Sequence, residues 1–154
     1  LAEPVDLLGY PVAHVEVAAD RPDGDVFVYL EQVDAAGKAE VLSFGRLKLS
    51  HRAIAAAPWD NLGLPFHPGI EASASDLAPG SFARLAIAMM PLSRRVEAGT
   101  RLRFVITGAD PRQRNLAEIR QDPPPKLTVR SGWLAGSRID LPLLLENESR
   151  ESAP

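Results

Sequence analysis

Cysteine is absent from the 154 residues, which excludes a disulfide framework, a thiolate zinc site and a thiol nucleophile. The compartment stays open, because a chain without cysteine suits reducing and oxidising surroundings alike. Long apolar runs are absent too. The longest, Leu85-Ala86-Ile87-Ala88-Met89-Met90, stops at Pro91, far short of the ~20 residues a membrane helix needs. The opening Leu1-Ala2-Glu3-Pro4 has neither the basic start nor the apolar centre of a signal peptide. It also lacks an initiator methionine, so the chain is expected to be a piece of a longer one or a processed form. An excess of either charge is small. Seventeen basic against twenty acidic residues leave −3, so neither nucleic acid nor a membrane is expected as a partner. Aromatics are only 6% of the chain.

A sustained helical stripe is missing as well, while alternation with period two recurs. The apolar fraction of 45% is enough for a packed core. The length suits one domain, since ~100–150 residues is the commonest size. In Val12 to Ala19, Ala13, Val15 and Val17 share one face and His14 and Glu16 the other, as in a half-buried strand. Asp20 to Asp25 reads as a turn. Val26 to Val33 is apolar on both faces and reads as a central strand. Asp34 to Lys38 closes a hairpin onto Val41 to Leu49. There Leu42 and Phe44 are expected on one face, Leu47 and Leu49 on the other, with Gly45 marking a bulge.

An irregular stretch from Ala53 to Gly80 follows; loops of this length are usually functional or disordered, and its apolar content argues for order. Phe82 to Met90 reads as a strand with Leu85, Ile87 and Met89 inward. Ser93 to Gly99 reads as a turn. Arg101 to Thr107 alternates Leu102, Phe104 and Ile106 inward with arginines outward. A second loop runs from Asp110 to Lys126, stiffened by Pro123-Pro124-Pro125. Leu127 to Val129 and Ile139 to Leu143 are short strands. The domain is expected to span residues 1–145, with residues 146–154 a polar tail that frays. Seven or eight strands at hairpin-like spacing predict an all-β antiparallel sandwich, and the two long excursions favour a jelly roll.

Motifs for catalysis are not found. No Gly-x-Ser-x-Gly elbow exists, and Ser81, Ser131 and Ser137 read as turn or strand-end hydroxyls. His14, His51 and His67 lack the spacing of a zinc pair. His14 and Glu16 could form a metal pair on one strand face, but the polar face of an outer strand is the favoured reading. His67 reads as a hydrogen-bonded loop anchor rather than an acid–base group. Asp20, Asp23 and Asp25 are weak calcium candidates without EF-hand spacing; a solvated turn is the favoured reading. No phosphate-binding glycine loop occurs, and no cofactor or metal is expected. Arg94, Arg95, Arg101, Arg103, Arg112 and Arg114 lack the interleaved aromatics of a stacking surface and read as solvated or ion-paired. Trp59, Phe66 and Trp133 are the candidates for a carbohydrate platform, with core or interface roles at least as plausible.

From the third strand reading onward the text resembles one family. Gly9-Tyr10-Pro11-Val12 is followed by Pro22-Asp23-Gly24-Asp25-Val26-Phe27-Val28-Tyr29-Leu30-Glu31-Gln32-Val33-Asp34. Then come Gly45-Arg46-Leu47, Ser50-His51-Arg52-Ala53, Pro58-Trp59, Pro65-Phe66-His67-Pro68 and Leu77-Ala78-Pro79-Gly80. Pro91-Leu92-Ser93, Ala98-Gly99-Thr100-Arg101-Leu102-Arg103-Phe104-Val105-Ile106, Asp110-Pro111 and Ser137-Arg138-Ile139-Asp140-Leu141-Pro142 complete the series. The ordered set resembles the C-terminal domain of X-Pro dipeptidyl-peptidases, shared with cocaine esterase and related acylases. Thr100 stands where that family often has histidine.

The resemblance implies a galactose-binding-like jelly roll and an upstream α/β-hydrolase domain carrying the catalytic serine, aspartate and histidine. No catalytic residue is therefore expected in this chain, and alone it is expected to be inactive. Three tasks follow from the resemblance: packing on the hydrolase domain, walling its substrate entrance, and mediating contacts in a homo-oligomer. The interface or ligand candidates are Trp59, Leu64, Phe66, His67 and Trp133, because a loop rich in large apolar groups is costly to expose. A free-standing carbohydrate- or ligand-binding module, or an assembly module, is the alternative.

Overall fold

The structure, a computed structural model, describes residues 1–110, 121, 123–132 and 136–144. Nine strands occur among them: β1 (Val5–Gly9), β2 (Val12–Ala19), β3 (Asp25–Val33), β4 (Ala39–Lys48), β5 (Ala83–Ala88), β6 (Leu92–Val96), β7 (Arg101–Thr107), β8 (Leu127–Arg130) and β9 (Arg138–Asp140). Two 3₁₀ turns, Leu49–His51 and Glu71–Ser73, are the only helical pieces among the described residues. Every strand pairing is antiparallel. One sheet has the order β5-β2-β8, with β9 also on β2; a second has the order β4-β3-β7; β1 and β6 form a ribbon. The result is an all-β sandwich.

The period-two reading placed the core well. Ala13, Val15 and Val17 of β2 and Leu85 and Ile87 of β5 are buried, and Met89 joins them. They meet Val26, Val28 and Leu30 of β3, and Leu102, Phe104 and Ile106 of β7 pack against the same cluster. β3, central in its sheet between β4 and β7, is buried on both faces along most of its length. That is why its sequence reads as a continuous apolar run.

Three expectations are corrected. The span Ser93 to Gly99, read as a turn, holds most of strand β6 (Leu92–Val96), which pairs with β1, a strand the pattern did not reveal. The ribbon needs only Leu7 and Val96 in the core, at 1% and 0% exposure. Val5 and Leu92 pack partly against it, and the arginines face out, with Arg94 on Glu40 at 2.8 Å and Arg95 on Asp6 at 2.9 Å. Runs this short, with Leu7-Leu8 and Arg94-Arg95 side by side, carry too little alternation to read as strands.

Gly45 does not mark the bulge. The register jumps from Leu30↔Ser43 to Glu31↔Val41, so the extra residue is Leu42. Gly45 pairs regularly with Val28. It is small because the next sheet approaches: a Cβ there would lie 3.0 Å from the Ala88 carbonyl oxygen and 3.0 Å from Ile87 Cγ2. The bulge also changes the facing of the strand. Phe44 is exposed while Leu42 packs against the core, so the two do not share a face. One inserted residue reverses the parity of side chains beyond it. The second loop's Arg112 and Arg114, Trp133 and the tail 146–154 lie outside the described residues.

Candidate functional site

Residues 53–80 form an ordered excursion, and its backbone is tied to the sandwich at several points. Ser75 N–H donates to Ser50 O at 2.8 Å, Leu77 N–H to Pro22 O at 2.7 Å and Gly80 N–H to Ala19 O at 2.7 Å. Arg52 spans the loop's two ends, its guanidinium donating to the carbonyls of Leu49 (3.0 Å) and Ser75 (2.6 Å). Leu77 is its buried apolar plug. His67 is the central anchor. Its Nδ1 lies 3.0 Å from Ala53 O and its Nε2 lies 2.9 Å from Ala86 O on β5. Both ring nitrogens thus face backbone carbonyls, which leaves neither turned to solvent chemistry. The imidazolium donates to both oxygens, the neutral ring to one.

With the base held, the tip projects. Ala55 N–H donates to Phe66 O at 3.0 Å, closing a bridge between the two arms. Trp59 sits edge-on to Phe66, ring centroids 5.2 Å apart at 76°, the favoured T-shaped arrangement. Asp60 Oδ1 accepts Leu62 N–H at 3.0 Å, and Asn61 Nδ2 donates to Leu64 O. These bonds hold Leu62 at φ 59°, the sole positive φ outside glycine among the described residues. A left-handed leucine costs roughly 1–2 kcal/mol. Leu62 is nonetheless 71% exposed and Trp59 61%. Ile54 and Ile70 are exposed on the same excursion.

Of the residues singled out in the sequence, the excursion therefore brings together Trp59, Leu64, Phe66 and His67. Leu64 and Phe66 are half-buried within the loop, and the outward groups are Trp59 and Leu62. Ile54 and Ile70 were missed. The signal was present, since each is a large aliphatic residue beside alanine or glycine in a segment with no alternation to bury it.

The remaining candidates go elsewhere. Asp23 Oδ1 accepts Ser50 N–H at 2.8 Å and its Oδ2 accepts the Ser50 hydroxyl at 3.0 Å. Lys48 Nζ stands 3.4 Å from Asp23 and 3.9 Å from Asp25. Burial opposes the Asp23 charge, but hydrogen bonds from Ser50 and Gly24 N–H, then Lys48, then the Ser50 hydroxyl outweigh it. Together they hold its pKa below the ordinary aspartate value. Asp20 Oδ1 accepts Lys126 N–H at 2.8 Å. Asp20 and Asp23 thus cap backbone N–H groups, Asp23 and Asp25 flank the Lys48 ammonium, and among the described residues no group of His, Asp and Glu is placed to hold a metal ion. His14 and Glu16 do not act as a pair: His14 Nε2 meets Asp140 Oδ2 at 2.8 Å, and Glu16 takes Arg130 at 2.8 Å. Arg103 binds Glu31 at 2.6 Å. Ser137 Oγ accepts Glu16 N–H and donates to Arg130 O, so its hydroxyl is committed to structure.

Comparison with known proteins agrees with this picture. The model of the X-Pro dipeptidyl-peptidase C-terminal non-catalytic domain matches residues 1–131. The proteins named "Putative serine esterase Mb1866c" of Mycobacterium bovis and "Putative serine esterase MT1883" of Mycobacterium tuberculosis are each 31% identical over 145 residues. The alignment covers 94% of this chain but only 23% of either relative, so the chain spans less than a quarter of their length. Two crystal structures of a CocE/NonD family hydrolase from Staphylococcus aureus share the fold. One superposes with TM-score 0.71 at 16% identity, covering 94% of this chain and 29% of that one. The other gives 0.60 at 18%, covering 71% and 21%. The antiparallel sandwich, the matched residues and the short span relative to the relatives converge: this chain belongs to the X-Pro dipeptidyl-peptidase C-terminal non-catalytic domain family.

Proposed function

We propose that this module docks on an upstream α/β-hydrolase domain of the same protein through the 53–80 excursion and walls that domain's substrate entrance. The parent on this reading is a serine hydrolase of acyl or peptidyl bonds, and the jelly-roll, galactose-binding-like topology belongs to the same reading. One observation carries it: the tip holds Leu62 in a strained conformation and keeps it and Trp59 in water. A loop that only connected β4 to β5 would gain by burying or deleting these groups. Backbone strain kept in place by a hydrogen-bonded base marks a segment shaped for contact. The mycobacterial relatives are named as serine esterases, which supports an ester or other acyl substrate for the parent.

The test is Trp59→Ala combined with Leu62→Ser in the full-length protein and in the isolated module. The expected result is an isolated module that melts within about 2 °C of the original, as surface changes usually do. The full-length variant is expected to lose heat stability of its catalytic part and to show an altered KM. A full-length variant indistinguishable from the original overturns the docking reading. Turnover of an ester by the pure isolated module overturns the non-catalytic one.

A further inference from the structure

The outer face of the β2 sheet carries a second feature, well separated in role from the loop tip. A cavity of about 440 Å³ opens there, lined among others by His14, Arg84, Ala86, Ile54, Ser137 and Arg138. The strand register explains its floor. His14 faces Ala86 across the β2–β5 pair, and Glu16 faces Arg84. Ala86 contributes only a methyl group between two long side chains, so a hollow remains where a larger residue would fill the sheet surface. Ile54 supplies an apolar wall from the loop.

Charge in this hollow is not balanced. Glu16 is in register with Arg84, yet its carboxylate is taken by Arg130 at 2.8 Å. Arg130 is fixed there by stacking, its guanidinium carbon 3.7 Å from the Phe82 ring centroid. Asp140 accepts from His14 at 2.8 Å and lies 3.4 Å from Arg138. The two carboxylates at this site are therefore spoken for, against three guanidinium groups. The surplus is Arg84, which has no ion-paired or hydrogen-bonded partner among the described residues. Its planar fork suits a two-oxygen anion.

We infer that this cavity is a binding site for a small organic carboxylate, with the two oxygens on Arg84 and a short apolar body against Ala86 and Ile54. The Asp140 carboxylate orients His14 through Nε2, leaving the rest of that ring as the opposite wall. Ser137, with its hydroxyl engaged by Glu16 N–H and Arg130 O, shapes the rim. No covalent step is involved. The inference does not rest on the docking proposed above, although its apolar wall, Ile54, belongs to the same excursion.

The experiment titrates the 154-residue chain with sodium butyrate, following backbone amide shifts by NMR. Sodium chloride at equal ionic strength and neutral methyl butyrate are the controls. The expected result is saturable shifts around residues 84–86, 14–16 and 54 with butyrate alone, at a Kd on the order of 1 mM. Arg84→Gln is expected to weaken binding about tenfold, the effect of one charge-assisted pair. Arg138→Gln should weaken it less, its charge being shared with Asp140. Arg94→Gln, on the remote β1–β6 ribbon, should change nothing. Non-saturable shifts, shifts reproduced by chloride or methyl butyrate, or binding retained in a folded Arg84→Gln variant overturn the inference. Repeating the titration on the full-length protein provides a separate arm. Binding that persists supports a free carboxylate ligand, and binding that vanishes overturns it, since another protein group then covers Arg84.

Discussion

In the β3–β4–β5 region, apolar side chains hold the backbone; in residues 53–80, backbone carbonyls and a few polar side chains hold apolar groups out in water. Leu30, Val28 and Ile87 are buried with the sheets closed around them. Trp59 and Leu62 are large and exposed, yet the segment beneath them is fixed by His67, Arg52 and a ladder of loop hydrogen bonds. The difference separates two jobs. Burial makes the module fold, whereas the polar clips decide which surface the folded module presents. Substitutions should therefore split between stability and the proposed docking according to the region they touch.

The largest expected effect breaks the first side of that comparison. Leu30→Ala empties a site that is 1% exposed, and a leucine-to-alanine change in a core costs about 2–5 kcal/mol. Urea unfolding of the isolated module should show a lower midpoint with an unchanged slope. Trp59→Ala removes a larger side chain and should change the unfolding free energy by no more than ~0.5 kcal/mol. Equal losses in the two variants would erase the division.

Gly45→Ala comes next. An added methyl meets backbone atoms of Ala88 and Met89 and the Ile87 side chain at 3.0–3.3 Å. Backbone cannot swing aside, so the sheets must separate locally, at about 1–3 kcal/mol. Gly37, at φ 85° with open space around it, is a useful contrast: alanine there is penalised by conformation alone.

The Asp23 corner sharpens the comparison from the electrostatic side. Its carboxylate ties the β2–β3 turn to the Ser50 turn and Lys48. Because its folded pKa lies below the unfolded value of about 3.9, its contribution is complete above that unfolded value. It is lost as pH falls through the lower folded value. Asp23→Asn should therefore be less stable at pH 7, by about 1 kcal/mol for weakened hydrogen bonding, and the two unfolding midpoints should converge in acid. Curves that stay parallel from pH 7 to pH 3 would show that the charge does not matter there.

Legibility in the sequence followed the same division. β2, β5 and β7 were readable because each buries a regular face, which period-two alternation records directly, and β3 because burial on both faces leaves a continuous apolar run. The β1–β6 ribbon was not, since its strands are only five residues long, only Leu7 and Val96 are fully buried, and an exposed Leu8 and paired arginines break the alternation. Gly45 was visible as unusual but its cause was not, because close approach of another sheet leaves no local mark. The excursion was recognisable by its apolar content without alternation. Which groups point outward was not, as this depends on the Asp60 and Asn61 turn bonds and on a histidine bonded at both nitrogens. The Arg84 surplus was equally hidden, because it arises from how Glu16 chooses between two arginines across three strands.

The smallest effect expected bears on the tip itself. Leu62 adopts φ 59°, a conformation glycine takes freely. Replacing it with glycine relieves roughly 1–2 kcal/mol of left-handed strain and adds back ~0.5–1 kcal/mol of unfolded-state freedom. The net is neutral to about 1.5 kcal/mol stabilising. Leu62→Ala keeps the strain and should give no gain. If Leu62→Gly and Leu62→Ala both destabilise the isolated module relative to the original, the leucine side chain is contributing packing at the tip. The exposed surface would then be a by-product of folding rather than a surface held for a partner. If the glycine variant is as stable or more so, while the full-length protein loses its coupling between domains, the strain is what the module maintains in order to present this side chain.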